Sequence, residues 1–402
     1  MSWKKSTIGD VLSVIRNGIN CEQNKIPVGE KITRIETIAK KRFDFERVGY
    51  ANLTESEKER GQLKVGDILF SHINSPIHVG KTAIYEGEED IYHGINLLLM
   101  RTNKDVNPYF FNQFLNHLFA TGYWEANCKK SVNQASVNQK DISKVEFDYP
   151  PLATQQKIVA KLDAIFSEID KASAAAEANA KNAEALFQSY LTKIFECDSE
   201  GWKDAALGNL YKVASSKRVL KSDWKSEGVP FYRGREITSL SKFGFVENDL
   251  FITEEMYAEY SRTYGVPLAD DIMITAIGTI GNTYIVKDGD KFYFKDASVL
   301  WLKKEADIDS KFVNYWFKSR HFFSQLDVGL GATVDTLTIG KVQGLQIKIP
   351  TVRTQKDVVA KLDSVSSEIA KSIKSYTDKV NELGKLKDSI LRQAFSGELV
   401  KE

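Results

Sequence analysis

The chain has 402 residues, 42% of them apolar and 27% charged, with 55 Lys and Arg balanced by 54 Asp and Glu. That length holds two or more domains with real cores, and the near-zero net charge excludes a partner held by bulk charge alone. No apolar run reaches the roughly 18 residues that cross a bilayer, and MSWKKSTIGD at the start lacks the apolar stretch of a signal peptide. Three scattered cysteines, Cys21, Cys128 and Cys197, form neither a disulfide framework nor a zinc site, so the cytoplasm is the expected compartment.

Along residues 1–150, short β-branched and aromatic runs such as DILF (67–70) and TAIY (82–85) alternate with Gly, Asn and Asp turns, which predicts strands. Residues 108–121 carry aromatics at helical spacing. Beyond Pro150-Pro151, a helix start, positions Ile158, Leu162, Ile165, Ile169 and Ala172 open a four-three alternation that runs on to Tyr190, the seam of a coiled coil.

From Trp202 the whole pattern returns. WKKSTIGDV (3–11) lines up with WKDAALGNL (202–210), and KITRIETI (31–38) with PFYRGREI (230–237), pairing Arg34 with Arg233. GDILFSHINSPIHVGKTAIY (66–85) matches DDIMITAIGTIGNTYIV (270–286), and YFFNQFLNH (109–117) matches KFVNYWFKS (311–319). IVAKLDAIFSEIDKA (158–172) and VVAKLDSVSSEIAKS (358–372) share nine of fifteen positions at an offset of 200. The second helix carries the same four-three seam from Val358 through Leu383 and Leu386 to Ile390. So long a period marks a duplicated domain. The expected fold is α+β: two similar mixed α/β domains alternating with two long helices that pair as an antiparallel coiled coil. Boundaries fall at 1–150, 151–199 (helical spacer), 200–350 and 351–402 (C-terminal helical spacer).

Catalytic signatures are missing. There is no Walker A loop, no Pro-Asp start of a nuclease site, and no H-E-x-x-H; five histidines (72, 78, 93, 117, 321) form no triad-like or metal-binding cluster. GLGATVD (329–335) lacks the third Gly of a dinucleotide loop, and DYPPL (148–152) has the wrong order for an amino-methyltransferase motif. The chain is expected to be non-catalytic, with no metal of its own.

Taken together, PPLATQQKIVAKLD, IPTVRTQKDVVAKLD and the C-terminal LRQAFSGELV resemble the specificity (S) subunit of type I restriction–modification systems over the whole chain. The resemblance implies a DNA reader that holds no cofactor. Its partners would be double-stranded DNA, two methyltransferase subunits using S-adenosylmethionine to modify adenine N6, and restriction subunits using ATP and Mg. A duplicated coiled-coil scaffold without DNA binding is the alternative that the near-neutral heads leave open.

Arg, Asn, Gln, Ser and Thr on loops are the residues that pair with base edges. Candidates are Arg34 in the first head and Arg233 and Arg235 in the second. KKSVNQASVNQ (129–139) adds Ser131, Asn133, Gln134, Asn138 and Gln139, the other reading being a solvated connector. Its counterpart, GLGATVDTLT (329–338), has no Asn or Gln, and Asp335 would repel phosphate. The second head is therefore expected to use Thr275, Thr279 and Asn282 from TAIGTIGN (275–282). Lys81 is either a phosphate contact or a free surface amine. On the helices, Lys161, Glu168, Lys361 and Glu368 sit at equivalent outward positions and are candidates for docking the methyltransferase partners.

Overall fold

A computed structural model describes residues 3–132, 134–196, 200–326 and 336–399. The chain forms two compact units, Met1–Ala176 with Asp378–Glu402, and Glu177–Thr377. Each unit contains one head, half of the central helix (Leu152–Phe195) and half of the C-terminal helix (Val352–Phe395).

The first head is built on a four-stranded antiparallel sheet in the order Leu12–Asn17, Leu98–Thr102, Ile68–Phe70, Thr82–Ile84. Its central strands are apolar and buried at Ile68–Phe70 and at 98–100, where both faces are covered, while Arg101 and Thr102 at the end of the second are half-buried. Ile68, Phe70, Leu98 and Met100 face a core shared with the aromatic helix Pro108–Ala120. Leu69, Leu99 and Ala83 face a second core with Ile38, Val48, Leu63 and Ile91.

The second head repeats this frame, with strands ordered Tyr211–Ala214, Val299–Lys304, Ile272–Thr275, Thr283–Ile285. Ile272, Ile274, Leu300 and Leu302 face one core, and Met273, Val299, Trp301 and Tyr284 face the other. Among the strand pairs of the described residues, parallel pairing occurs where Val229–Tyr232 meets Tyr293–Phe294. The aromatic helix of this head is broken in two, Ser310–Phe317 and Arg320–Gln325, where the buried Ser319 turns its hydroxyl onto the Trp316 carbonyl.

The two long helices are antiparallel. Within the first unit, Ile158, Leu162 and Ile169 near the start of the central helix pack with Leu383, Ile390, Leu391 and Ala394 near the end of the C-terminal helix. Lys387 of the C-terminal helix also pairs with Asp170 of the central one. In the second unit, Leu191 and Phe195 pack with Val359 and Leu362. Each helix is 44 residues long, about 66 Å at 1.5 Å per residue.

One expectation about the seam fails: Leu186 and Leu386 are 65% and 46% exposed. A straight α-helix advances 3.6 residues per turn, so a strict seven-residue pattern rotates out of the contact. Near the end of the central helix, Phe187, Leu191 and Phe195 carry the packing instead, against Tyr315 and Phe312 of the aromatic helix.

A buried amide ties each helix start to its head. Gln155 is 0% exposed; its Oε1 accepts from the Asn107 amide at 2.8 Å, and its Nε2 donates to the carbonyls of Pro150 at 2.9 Å and Asp105 at 3.1 Å. Gln355 does the same in the second unit, accepting from the Asp309 amide at 2.8 Å and donating to the Pro350 carbonyl at 2.9 Å. Asn107 and Asp309 in turn cap the two aromatic helices with their side chains.

Candidate nucleic-acid interface

In the first head the polar stretch after Cys128 is a hairpin. Lys129–Ser131 pairs antiparallel with Gln134–Ser136, which pairs with Ile73–Asn74 to make a three-stranded ribbon. Ala135 and Val137 are buried and anchor it, while Lys129, Lys130, Ser131, Val132 and Gln134 are exposed. The ribbon thus presents two ammonium groups, a hydroxyl and an amide around an apolar tip, Val132 at 92% exposure. Ser131 Oγ donates to the Gln134 carbonyl at 3.2 Å and tightens the turn. Asn133 lies outside the described residues, as do Cys197 and Asp335.

The other first-head candidates are held within the protein. Asn138 is the N-cap of the short helix Gln139–Ser143: its Oδ1 accepts from the Asp141 amide at 2.9 Å, and its Nδ2 donates to the Asp141 carboxylate at 2.6 Å. Gln139 Nε2 donates to Asn17 Oδ1 at 2.9 Å, and Asn17 Nδ2 lies 3.2 Å from His72 Nε2. Burial pushes the His72 imidazole below its ordinary pKa, which favours the neutral ring in this chain of contacts. Arg34 stands at the N-cap of the 3-10 turn Ile35–Ile38, its amide donating to Thr37 Oγ1 at 2.9 Å and its Nε 3.1 Å from Glu36. Lys81 Nζ donates to the Ala39 carbonyl at 3.0 Å, tying loop to strand, so it is not a free amine.

Arg233 takes the place of Arg34 in the second head, at the N-cap of the helix Gly234–Phe243. Glu236, 0% exposed, accepts from the Arg233 amide at 2.8 Å, from Arg233 Nη2 at 2.7 Å and from Arg235 Nε at 2.9 Å. Burial alone would raise the Glu236 carboxyl; the hydrogen bonds from Arg233 and Arg235 outweigh it and hold the group below its ordinary pKa. Asp249 joins from outside, 2.8 Å from Arg233 and 2.7 Å from Arg235.

In the adjacent loop, Thr275 is buried; its hydroxyl donates to the Thr279 carbonyl and accepts from the Asn282 amide at 3.0 Å, so it shapes the turn. Thr279 is exposed, and Asn282 Nδ2 donates to Thr238 Oγ1 at 3.1 Å. The loop brings Ile277 into a bridge with Thr336, as Ile73 pairs with Ser136 in the first head.

On the helices, Lys161, Glu168, Lys361 and Glu368 are all exposed. Glu168 pairs with Lys171 at 2.7 Å and Glu368 with Lys371 at 2.8 Å, whereas Lys161 Nζ donates to the Leu399 carbonyl at 2.8 Å. Among the described residues no three His, Cys, Asp or Glu side chains gather as a metal site, and no helix is long and apolar enough to cross a membrane.

Two heads on paired antiparallel helices define a known class of fold. A chain solved in work on complex assembly and conformational transition of the type I R-M system matches with a TM-score of 0.74 at 18% identity, covering 99% of this chain and 98% of that one. The HsdS subunit from Thermoanaerobacter tengcongensis matches with a TM-score of 0.53 at 18% identity, covering 99% and 97%.

Sequence comparison is more particular. The model of the type I restriction modification DNA specificity domain matches residues 1–177 and again 199–376. The "Putative type I restriction enzyme MjaX specificity subunit" of Methanocaldococcus jannaschii is 30% identical over 405 residues, 94% of this chain and 90% of that protein. The EcoKI specificity subunit of Escherichia coli is 26% identical over 229 residues, 56% of this chain and 49% of that protein. The chain belongs to the type I restriction–modification specificity family, and it is the non-catalytic DNA specificity subunit of such a system.

Proposed function

We propose that this subunit binds a bipartite, asymmetric duplex target, one half-site per head, across a gap set by the helical spacers 151–199 and 351–402. The observation that carries the reading is a repeated frame with unlike outward surfaces. Both heads share one sheet order and one glutamine-clamped helix start. The first exposes Lys130, Ser131 and Gln134 on a hairpin, and the second Arg235 and Thr279 beside a helix. One scaffold with two different polar faces suits two different half-sites. Arg34, Lys81 and Arg233 are further contacts, facing phosphate or base once their carboxylate and carbonyl partners are exchanged for DNA.

Methylation is the work of two docked methyltransferase subunits using S-adenosylmethionine, which reach adenine N6 by flipping the base out of the stack. Restriction subunits add ATP- and Mg-dependent cleavage, and the complex works in the cytoplasm. The outward charges at Lys161 with Glu168 and at Lys361 with Glu368 recur 200 residues apart, which supports two equivalent docking patches.

Single-molecule sequencing of genomic DNA from cells expressing the chain with its methyltransferase partners tests the reading. Methyl-adenine should fall in one split motif with a fixed internal gap. Removing a matched heptad from both helices shortens the spacer by about 10 Å, near three base pairs, and the gap should change accordingly. An unaltered gap in a folded, active complex would sink the spacer. Binding of the complex to duplex DNA should also weaken steeply with salt; a flat response would favour a scaffold.

A further inference from the structure

We propose that the helix Gly234–Phe243 is the element with which the second head enters the major groove of its half-site, and that Arg235, Ser239 and Lys242 read its bases. This rests on the two-half-site reading above and deepens it.

The sequence REITSLSKF gives the helix two unlike faces. Glu236, Ile237 and Leu240 are buried against the head. Arg235, Thr238, Ser239 and Lys242, spaced i, i+3, i+4 and i+7, point the other way and are exposed or half-buried. Gly244 in the left-handed region, at φ 75°, ends the helix, its amide donating to the Leu240 carbonyl. Ten residues make a rod about 15 Å long, and a B-DNA major groove about 12 Å wide accepts an α-helix.

The helix is also fixed in place. Thr238 Oγ1 donates to the Gly234 carbonyl at 2.7 Å and accepts from Asn282 Nδ2 at 3.1 Å, which fastens the helix to the loop carrying Thr279. Arg235 is pinned between Glu236 and Asp249, so little side-chain freedom is lost when it docks. Ser239 donates its hydroxyl to the Phe245 carbonyl at 3.0 Å and keeps its lone pairs for a base donor. At the helix end, Phe243 and Phe245 stand 67% and 63% exposed with ring centroids 6.3 Å apart, an apolar surface that suits thymine methyl groups.

Charge separates base reading from phosphate clamping. Arg235 is matched by Asp249, and Glu247 lines the same shallow cavity as Arg235 and Ser239. A phosphate track would carry a row of uncompensated lysines and arginines, whereas a face of hydroxyls with one ion-paired arginine fits base edges. The first head has only the 3-10 turn Ile35–Ile38 at this position, with Glu36 where Arg235 stands, so the helical reader is a property of the second head.

The test uses the full chain assembled with its methyltransferase subunits, carrying Ser239→Ala, Lys242→Ala or both, with methylated motifs mapped by sequencing. Co-elution with the methyltransferase and a melting curve like that of the parent establish that each variant is folded. Discrimination at adjacent base pairs of one half-site should fall on the order of ten- to hundredfold, with the other half-site and the gap unchanged. An unaltered motif in assembled complexes overturns the proposal. So does loss of methylation because the double variant no longer co-elutes, since the face would then dock protein. A parent complex with no split motif would instead overturn the two-half-site reading itself.

Discussion

Gln155→Ala should open the junction between the first head and the central helix. The substitution strands three backbone groups, the Asn107 amide and the Pro150 and Asp105 carbonyls, around a side chain that is 0% exposed. At roughly 1 kcal/mol for each bond once water replaces part of the loss, the local cost is about 3 kcal/mol. Gln355→Ala strands two groups, the Asp309 amide and the Pro350 carbonyl, and should cost about 2 kcal/mol. Amide hydrogen exchange reads this directly, because the protection of Asn107 reports local opening. Its protection should fall on the order of a hundredfold in Gln155→Ala, by the same energy, with Asp309 unaffected; Gln355→Ala should do the reverse by a smaller factor. Protection of Asn107 within threefold of the parent would show that the clamp does not hold the junction.

Three further outcomes follow from buried groups. His93 is 0% exposed and burial pushes its pKa down to about 4, the Leu97 carbonyl only partly opposing this. The unfolded ring gains its proton near pH 6.5 while the folded one resists to about 4, so its contribution is complete above 6.5 and shrinks as pH falls. Between pH 7 and 5 that amounts to about 2 kcal/mol. Urea melts at the two pH values should show it, and His93→Gln should flatten the slope; equal slopes refute the assignment. Asp67, with its side chain 1% exposed, accepts from Arg101 Nε at 2.6 Å and Nη2 at 2.7 Å, so Asp67→Ala should cost about 3–5 kcal/mol by leaving the cation unpaired. A loss under 1 kcal/mol in thermal or urea melts would contradict that. At Gly80, φ is +88° and an added Cβ would lie 2.2 Å from the Trp124 ring; Gly80→Ala should lower stability by about 3 kcal/mol from strain and overpacking together. Full retention of the melting temperature would show that the ring can move aside.

The duplication and the paired antiparallel helices were legible because each is a pattern along the chain; the two cores on either face of each sheet were not predicted. The runs DILF and DIMI and the offset of 200 survive as structure, and the four-three spacing does so at Ile158, Leu162, Ile169 and Ile390 but not at Leu186 and Leu386. The fate of single polar side chains was not. Asn138 reads as part of a polar loop, although Asp three residues later is the signature of a cap, and the cap is what forms. The pairing of Arg233 and Arg235 with Asp249 was not legible, because Asp249 is 16 and 14 residues away respectively and no spacing rule connects them. The Glu236 part of that network could have been foreseen, since an acid three positions after the N-cap bonds back to its amide. Nothing in the repeat marks Ser239 and Lys242, because GREI pairs with the turn IETI and the helix extends only in the second copy.

One frame holds two unlike surfaces because the bonds common to both heads avoid the outward side chains. The Val137 amide donates to the His72 carbonyl in the first head, and the Leu337 amide to the Ala276 carbonyl in the second. Asn138 and Thr338 both cap the short helix that follows. These bonds use backbone atoms or interchangeable caps, so they place no demand on the side chains that point outward between them. The chain Gln139–Asn17–His72 therefore exists in one head, while Ile339 and Ala276 stand at the corresponding places of the other without disturbing the ladder. Fixed polar demands sit in the buried positions, Asp67 and Asp271, Gln155 and Gln355, where an unpaired group costs most. The outward positions are not tied into these buried bonds, so their side chains differ between the two heads while the frame stays the same.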